Sequence, residues 1–327
     1  VEALAVIARS HSDRDGGPSA LAIDPRELEE EQKMICFHHN DLDGRCAAYW
    51  VRRLCPSAEL YEIDYKDEFP LAIALQYAEV WLVDYSVPTD TLVKLACRTV
   101  VWIDHHKTAL DRFQREVVEA NIPLHVPGLR EDGIAACVLT YLYTQTPDNL
   151  DGVAVGADCA PLATRLIGDR DVWRFQYGEA TREFCAGLLA HDTNPRARLW
   201  DYLNWDASPG VREMREEGKI VMAYRRWQHA DKVKALAFET VFEGHRALAC
   251  NNGLCGSEFF GHKAEQYDLL MPFYFDGATW TVSLYSVKGV DCAEIAKRHG
   301  GGGHKGAAGF QCAALPFVKT RPVGVVA

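Results

Sequence analysis

The chain has 327 residues, 48% of them hydrophobic and 25% charged. That is enough for a well-filled core and longer than one domain of typical size, so two domains are the first expectation. The formal net charge of −11 argues against a protein that coats long nucleic acid through its overall field, yet leaves room for a local cationic pocket or for metal ions that bring positive charge themselves.

Residues 1–33 read as a mobile extension. HSDRDGGPSALAIDPRELEEEQK is polar and rich in Gly, Pro and charge, with one short helix at PRELEEEQK. The opening stretch is too short and too mixed for a signal-peptide core, and Met34 is read as an original start that would make the extension dispensable. From Met34 a rhythm sets in. MICFH is a buried strand, and GRCAAYWVRRLC is a helix with Cys46, Ala47, Trp50, Val51 and Leu54 on one side. AELYEID and AEVWLVDYS are strands, PTDTLVKLAC is a helix started by Pro88, and RTVVWIDHH is a fourth strand. GIAACVLTYLYT and APLATRLIGDRDVW follow as helices. Strands alternating with helices predict an α/β domain, a parallel sheet covered on both faces.

Residues 186–240 read as a helical linker region, ending in the long charged repeat VREMREEGKIVMAYRRWQHADKVKALAF. Beyond it AFETVFEGHRALACNN, YDLLMPFYFDG and ATWTVSLYSV are strands, with Asp276–Gly277 as a turn. VDCAEIAKRHG is a helix that runs into GGGGHKGAAG. The expected organisation is an extension (1–33), a parallel-sheet domain (34–185), the linker (186–240) and a smaller α+β domain with a mixed sheet (241–327). No apolar run reaches the roughly 18 residues of a membrane span. The 11 cysteines, without a CxxC pair, read as reduced thiols of a cytoplasmic protein.

Three of the predicted strands end in carboxylates or histidines: His38, His39, Asp41 and Asp43; Asp84; and Asp104, His105 and His106. In an open parallel sheet, residues just past the carboxyl ends of the strands line one crevice, so these side chains are expected to converge. One such aspartate alone is more often a helix cap or turn former. Four aspartates in one crevice would repel one another, and divalent metal removes the conflict. The donor set suits two ions about 3.5–4 Å apart that share a carboxylate. Oxygen ligands with imidazole and no thiolate favour Mn²⁺, with Mg²⁺ second. Gly44 is expected to let the chain turn tightly before the helix.

HNDLDG (39–44), VDYS (83–86), IDHH (103–106) and GDRDVWRF (168–175) resemble the four motifs of the DHH phosphoesterases. GGGGHKGAAGF (300–310) resembles the glycine-rich signature of the DHH-associated C-terminal domain. The likeness is greatest to the short oligoribonuclease (nanoRNase) branch. It implies His39, Asp41, Asp43, Asp84, His105 and Asp169 as metal ligands, with Asp84 bridging and Asp169 preferred to Asp171. It also implies that Asp104 orients a histidine and that His106 donates to the scissile phosphate. Many relatives carry their first-motif histidine where this chain has Phe37, so the ligand is His39, with His38 as the substitute.

In the second domain Gly301, Gly302 and Gly303 would bring backbone amides to an anion, with Arg298, His304 and Lys305 as further donors. Tyr285 stands where relatives often carry arginine; it would stack on a base or simply pack. The expected function is two-metal hydrolysis of short oligonucleotides to mononucleotides in a cleft between the domains. The alternatives keep the chemistry, as a 3′-phosphoadenosine phosphate phosphatase or a linear or cyclic dinucleotide phosphodiesterase. Behind these stand a pyrophosphatase and a non-catalytic nucleotide-binding protein. The implied partner is a short single-stranded RNA or small nucleotide, with no membrane and with a homodimer left open.

Overall fold

The computed structural model describes residues 33–119, 124–145, 157–205, 208–253 and 255–322. The expected extension and its short helix lie outside these, apart from Lys33. The described residues fall into two units, those within Val1–Arg174 and Thr193–Asp206, and those within Phe175–Asp192 and Ala207–Ala327.

The first unit is built on a parallel sheet of β1 (Met34–His39), β2 (Glu59–Ile63), β3 (Glu79–Val83) and β4 (Thr99–Ile103), in the order β2-β1-β3-β4. Side chains alternate across it with the strand period of two. Ile35, Phe37, Val80, Leu82, Val100 and Trp102 face one core. That core is closed by α2 (Leu71–Ala74), α3 (Thr89–Leu95) and α4 (Lys107–Glu119), which supply Ala74, Leu92, Leu95 and Ala109. Sequence reading leaves α4 unassigned. The other face is covered by α1 (Leu42–Leu54) and α5 (Ala136–Gln145), where Trp81 meets Tyr143 edge-on. On α1, Trp50 Nε1 donates to Thr164 Oγ1 of α6 (Leu162–Asp171) at 3.1 Å.

Residues 126–131 run beside β4. Trp102 N donates to Pro127 O and Asp104 N to Leu129 O. Gly128 sits at φ +124, and a Cβ added to it would lie only 2.0 Å from Trp102 O, so no other residue fits there.

The second unit begins with α7 (Glu179–Leu188), while α8 (Arg198–Leu203) belongs to the first. α7 packs on the 27-residue α9 (Gly210–Leu236) at two glycines. A Cβ on Gly187 would lie 2.0 Å from Met214 O, and one on Gly218 1.7 Å from Glu183 O. The 186–240 block is therefore not a separate linker. The unit boundary falls at 174/175 with one return of the chain to the first unit, because α7 buries its apolar side on α9.

The sheet of this unit contains β5 (Ala237–Phe242), β6 (His245–Asn251), β7 (Leu269–Phe275), β8 (Trp280–Tyr285), β9 (Gly302–His304), β10 (Ala307–Cys312) and β11 (Arg321–Pro322). Its order is β11-β5-β6-β7-β8-β10-β9, antiparallel except for the parallel β6–β7 pair. Ala247, Ala249, Leu269 and Met271 face α10 (Cys292–Arg298), whereas Leu248, Cys250 and Leu270 face α9 and the 3₁₀ turns of Ser257–Gln266. The expected α/β domain followed by a mixed-sheet α+β domain is what the structure contains. Among the described residues no helix is long and apolar enough to cross a membrane, and all 11 cysteines are free.

Gly44 works differently from the tight turn expected of it. It lies inside α1 and is not among the glycines with positive φ. Its missing Cβ lets the first turn of α1 press against β1, since a Cβ there would lie 2.4 Å from His39 O and 2.8 Å from His39 N. Gly44→Ala is expected to lower stability by about 1–3 kcal/mol or more, as overpacking does; a denaturant melt that matches wild type contradicts this.

Candidate metal centre

The order β2-β1-β3-β4 places a topological switch point between β1 and β3, where crossovers leave towards opposite sides and the carboxyl ends of the strands open a crevice. β1 delivers His39 to it, and the N-cap and first turn of α1 deliver Asp41 and Asp43. Asp84 follows β3, and Asp104, His105 and His106 follow β4.

Asp41 caps α1. Its Oδ1 accepts from Gly44 N at 2.9 Å and its Oδ2 from His39 Nδ1 at 2.8 Å. Burial pushes its pKa up, but these two hydrogen bonds, with the charge of His39 and the neighbouring Asp84, together outweigh burial and hold it down to about 2. The same bond to Asp41 raises the pKa of His39. Asp43 is buried, and its two oxygens accept from Ala136 N (2.8 Å) and Cys137 N (2.9 Å). An aspartate on α1 thus satisfies the open amides at the start of α5 and locks the two helices together.

Asp84 is 1% exposed, and neither carboxylate oxygen has a hydrogen-bond partner. Its backbone sits at φ +54, an uncommon conformation for a residue with a side chain. The two oxygens face different neighbours. Oδ2 lies 3.8 Å from His39 Nδ1, and Oδ1 lies 3.3 Å from His105 Nε2. His105 Nε2 is also 3.2 Å from Asp171 Oδ2 and 3.6 Å from Asp43 Oδ2. Three groups of potential ligand atoms result, each within 4.8 Å of one another: His39, Asp41 and Asp84; Asp43, His105 and Asp171; and Asp84, His105 and His106.

Burial, and then the charges of Asp43, Asp41, Asp171 and Asp104, push the pKa of Asp84 well above the carboxylate range. Burial, then Asp43 and Asp41, push Asp171 up to about 8. A buried carboxylate with two unsatisfied oxygens, flanked by carboxylates and imidazoles, is the donor set a pair of hard divalent cations requires. The residues present fit such ions.

Asp104 is fully engaged within the protein. Its Oδ1 accepts from His105 N (2.8 Å), His106 N (3.1 Å) and His106 Nδ1 (2.7 Å), and its Oδ2 accepts from Trp102 Nε1 (3.2 Å). A carboxylate only accepts, so His106 carries its proton on Nδ1 here. This bond raises the pKa of His106.

The structure brings together His39, Asp41, Asp43, Asp84, Asp104, His105 and His106. His38 stands apart: it is 1% exposed, its Nδ1 bonds His39 O at 2.9 Å, and burial lowers its pKa. The expectation for Asp169 differs from what is found. Asp169 is buried on α6 but belongs to none of the three groups, and Asp171, in the last turn of the helix, supplies the carboxylate beside His105. The two residues lie about 200° apart around the helix, so only one can face the cluster. Sequence reading also missed Tyr65, whose ring lies beside His39 and His106.

The remaining candidates are in the second unit. Gly302 and Gly303 pair with Gly309 and Ala308 in an edge hairpin. Gly303 (φ +138) and Gly301 are required by close approach to β10. The Gly301 amide closes α10 by donating to Ala296 O at 2.9 Å, so it is not presented to an anion as expected. His304 and Lys305 are exposed at the hairpin. Arg298 lies 3.5 Å from Glu243 in an ion pair. Tyr285 packs partly buried on the core of Phe259, Phe260 and Leu270, the packing alternative for this residue.

No protein-family model matches the sequence, and no curated protein matches it. Among solved structures, the chain is similar to the DHH domain of a member of the s1p family of ribosomal proteins, with a TM-score of 0.51, 15% identity and coverage of 87% of this chain and 83% of that one. It is also similar to RecJ from Thermus thermophilus in complex with Mn²⁺ (TM-score 0.44, 14% identity, 88% of this chain and 50% of that one). A third is a pGpG-specific phosphodiesterase from Vibrio cholerae (TM-score 0.43, 13% identity, 86% and 94%). The first likeness shows that the chain shares the fold of that DHH domain.

The cluster has a stability signature. Asp84 and Asp171 have folded-state pKa values above the unfolded carboxylate value near 4, so in metal-free protein they hold protons that the unfolded chain has released. The contribution of Asp171 is complete below about pH 4 and is lost as pH rises towards about 8, and that of Asp84 runs in the same direction. His39 and His106, with raised values, act in the same direction around neutrality. Chelator-treated protein should therefore melt roughly 5 °C or more lower at pH 8 than at pH 5, and excess Mn²⁺ should remove or reverse the slope. A melting temperature that rises with pH in chelator contradicts this.

Proposed function

We infer that this chain is a metal-dependent phosphoesterase that hydrolyses short oligonucleotides, mainly RNA, to mononucleotides. The observation that carries the reading is Asp84, a buried carboxylate whose two unsatisfied oxygens face two different sets of ligands. His39, Asp41 and one oxygen of Asp84 would hold one divalent ion. Asp43, His105, Asp171 and the other oxygen of Asp84 would hold a second, Mn²⁺ ahead of Mg²⁺ because imidazole is present. When bound, such ions supply an acidified water as nucleophile and positive charge for the phosphoryl oxygens.

The chain's own groups do the rest. Asp104 fixes the His106 ring through Nδ1, which leaves Nε2 to donate to a phosphoryl oxygen. Because Asp104 raises its pKa, His106 carries the second proton more readily, and the donation is charge-assisted. Backbone amides of Gly44, Ala136 and Cys137 anchor Asp41 and Asp43, so the ligands are preorganised. The motifs that resemble those of oligoribonucleases and the acidic overall charge both favour a short substrate over a long strand.

A single panel tests the reading: purified protein and Mn²⁺ with labelled RNA of two to seven nucleotides, a cyclic dinucleotide, 3′-phosphoadenosine phosphate and pyrophosphate. Release of mononucleotides from the shortest RNAs is expected, with Asp84→Ala reducing the rate by at least about 100-fold. Hydrolysis of pyrophosphate alone contradicts the substrate assignment, and full activity of Asp84→Ala contradicts the metal assignment. A wild-type protein that cleaves none of these with Mn²⁺ or Mg²⁺ is a binding protein instead.

A further inference from the structure

Tyr65 follows β2 at the same sheet edge that delivers the metal cluster, and it is held in place from several sides. Its ring stacks on Tyr85 at 4.9 Å with an interplanar angle of 27°. Tyr85 is 4% exposed and stacks in turn on Phe69 at 6.3 Å. The Tyr65 hydroxyl accepts from Ser86 N at 3.2 Å, which anchors its far end beside β3. The loop beneath it is pinned by Asp64, whose Oδ1 accepts from Lys66 N and whose own amide donates to Asp67 Oδ2.

On the cluster side, the ring centroid lies 5.3 Å from that of His39 and 5.8 Å, edge-on, from that of His106. Despite these contacts Tyr65 remains 46% exposed. A large aromatic ring left open beside two cluster histidines, with its orientation fixed by a buried partner, has no packing need to be there. The core is already closed by Tyr85 and Phe69.

The geometry points to Tyr65 as a stacking platform for the nucleobase next to the scissile phosphate, which makes it a specificity-determining residue for nucleoside-bearing phosphoesters. This rests on the phosphoesterase reading above. In that reading the phosphate sits against the metals and His106. The base, one sugar away, then meets the ring that touches His106. Stacking of this kind tolerates any base, because every base has a π-face. A ring already held by Tyr85 loses little freedom on contact with substrate.

The test compares wild type, Tyr65→Phe, Tyr65→Leu and Tyr65→Ala on an RNA dinucleotide and on its abasic analogue, which carries the same phosphodiester without bases. Tyr65→Leu keeps an apolar side chain on Tyr85 but removes the π-face, and thermal melts identify variants that fail to fold. Expected is a rise in KM for the base-bearing dinucleotide of about 5- to 150-fold in Tyr65→Leu and Tyr65→Ala, the range for loss of one stacked base. Tyr65→Phe should stay near wild type, and kcat/KM on the abasic analogue should be unchanged in all variants. A second readout is binding of an uncleavable dinucleotide carrying 2-aminopurine, whose fluorescence stacking quenches. Quenching should occur with wild type and Tyr65→Phe and be lost with Tyr65→Leu.

Equal losses on both substrates would mean that Tyr65 only supports the histidines, and unchanged kinetics in Tyr65→Leu would mean that it touches no base. Either result overturns the proposal and leaves the phosphoesterase reading intact. If wild type cleaves neither substrate, the underlying reading fails and the platform fails with it.

Discussion

The crowding of carboxylates around Asp84 is the constraint on which the first unit depends. Four aspartates and three histidines converge on one side chain that is buried and has no protein donor. Each carboxylate disfavours the charge of the next in a buried site, so they share the crevice only with protons, as Asp84 and Asp171 hold in metal-free protein, or with cations. The αL backbone at Asp84 adds to the cost of placing the carboxylate there. Both costs fall on the residue whose two oxygens are open to cations.

The surrounding structure keeps the other side chains of the cluster from adapting to the crowding. Asp41 is tied to the first turn of α1 and Asp43 to the first turn of α5. Asp104 takes up four donors, and in doing so fixes the peptides of His105 and His106 as well as one imidazole ring. Gly44 lets α1 approach the His39 backbone closely enough for the motif to close. These contacts sit at the switch point of the sheet, so the topology and the site share one origin.

Much of this was legible in the sequence. Alternation of strands and helices gave the parallel sheet, and acidic residues at three strand ends gave the crevice. What escaped depended on phase and packing. His38 and His39 are adjacent, and the strand period of two sends them to opposite faces; Cys36 and Phe37 are both buried, so burial along the strand does not show which one reaches the site. Asp169 and Asp171 differ by about 200° around α6, and the helix phase is set by the burial of Ala163, Leu166 and Ile167, which spacing alone does not reveal. The contact of Asp43 with α5 spans 93 residues and leaves no local signal. The four glycines at 300–303 look like an anion loop, yet their shape follows from flush packing of an edge strand on β10. Tyr65 lies in a charged loop, and only its contacts set it apart from a surface tyrosine.

The central claim, that the two oxygens of Asp84 serve two different ions, is most directly tested by Mn²⁺ titration of the full chain followed by electron paramagnetic resonance. The account predicts two Mn²⁺ bound per chain with a spin-coupled spectrum, and one uncoupled Mn²⁺ or none in Asp84→Ala. A single, magnetically isolated Mn²⁺ in the wild-type protein at saturation would contradict it.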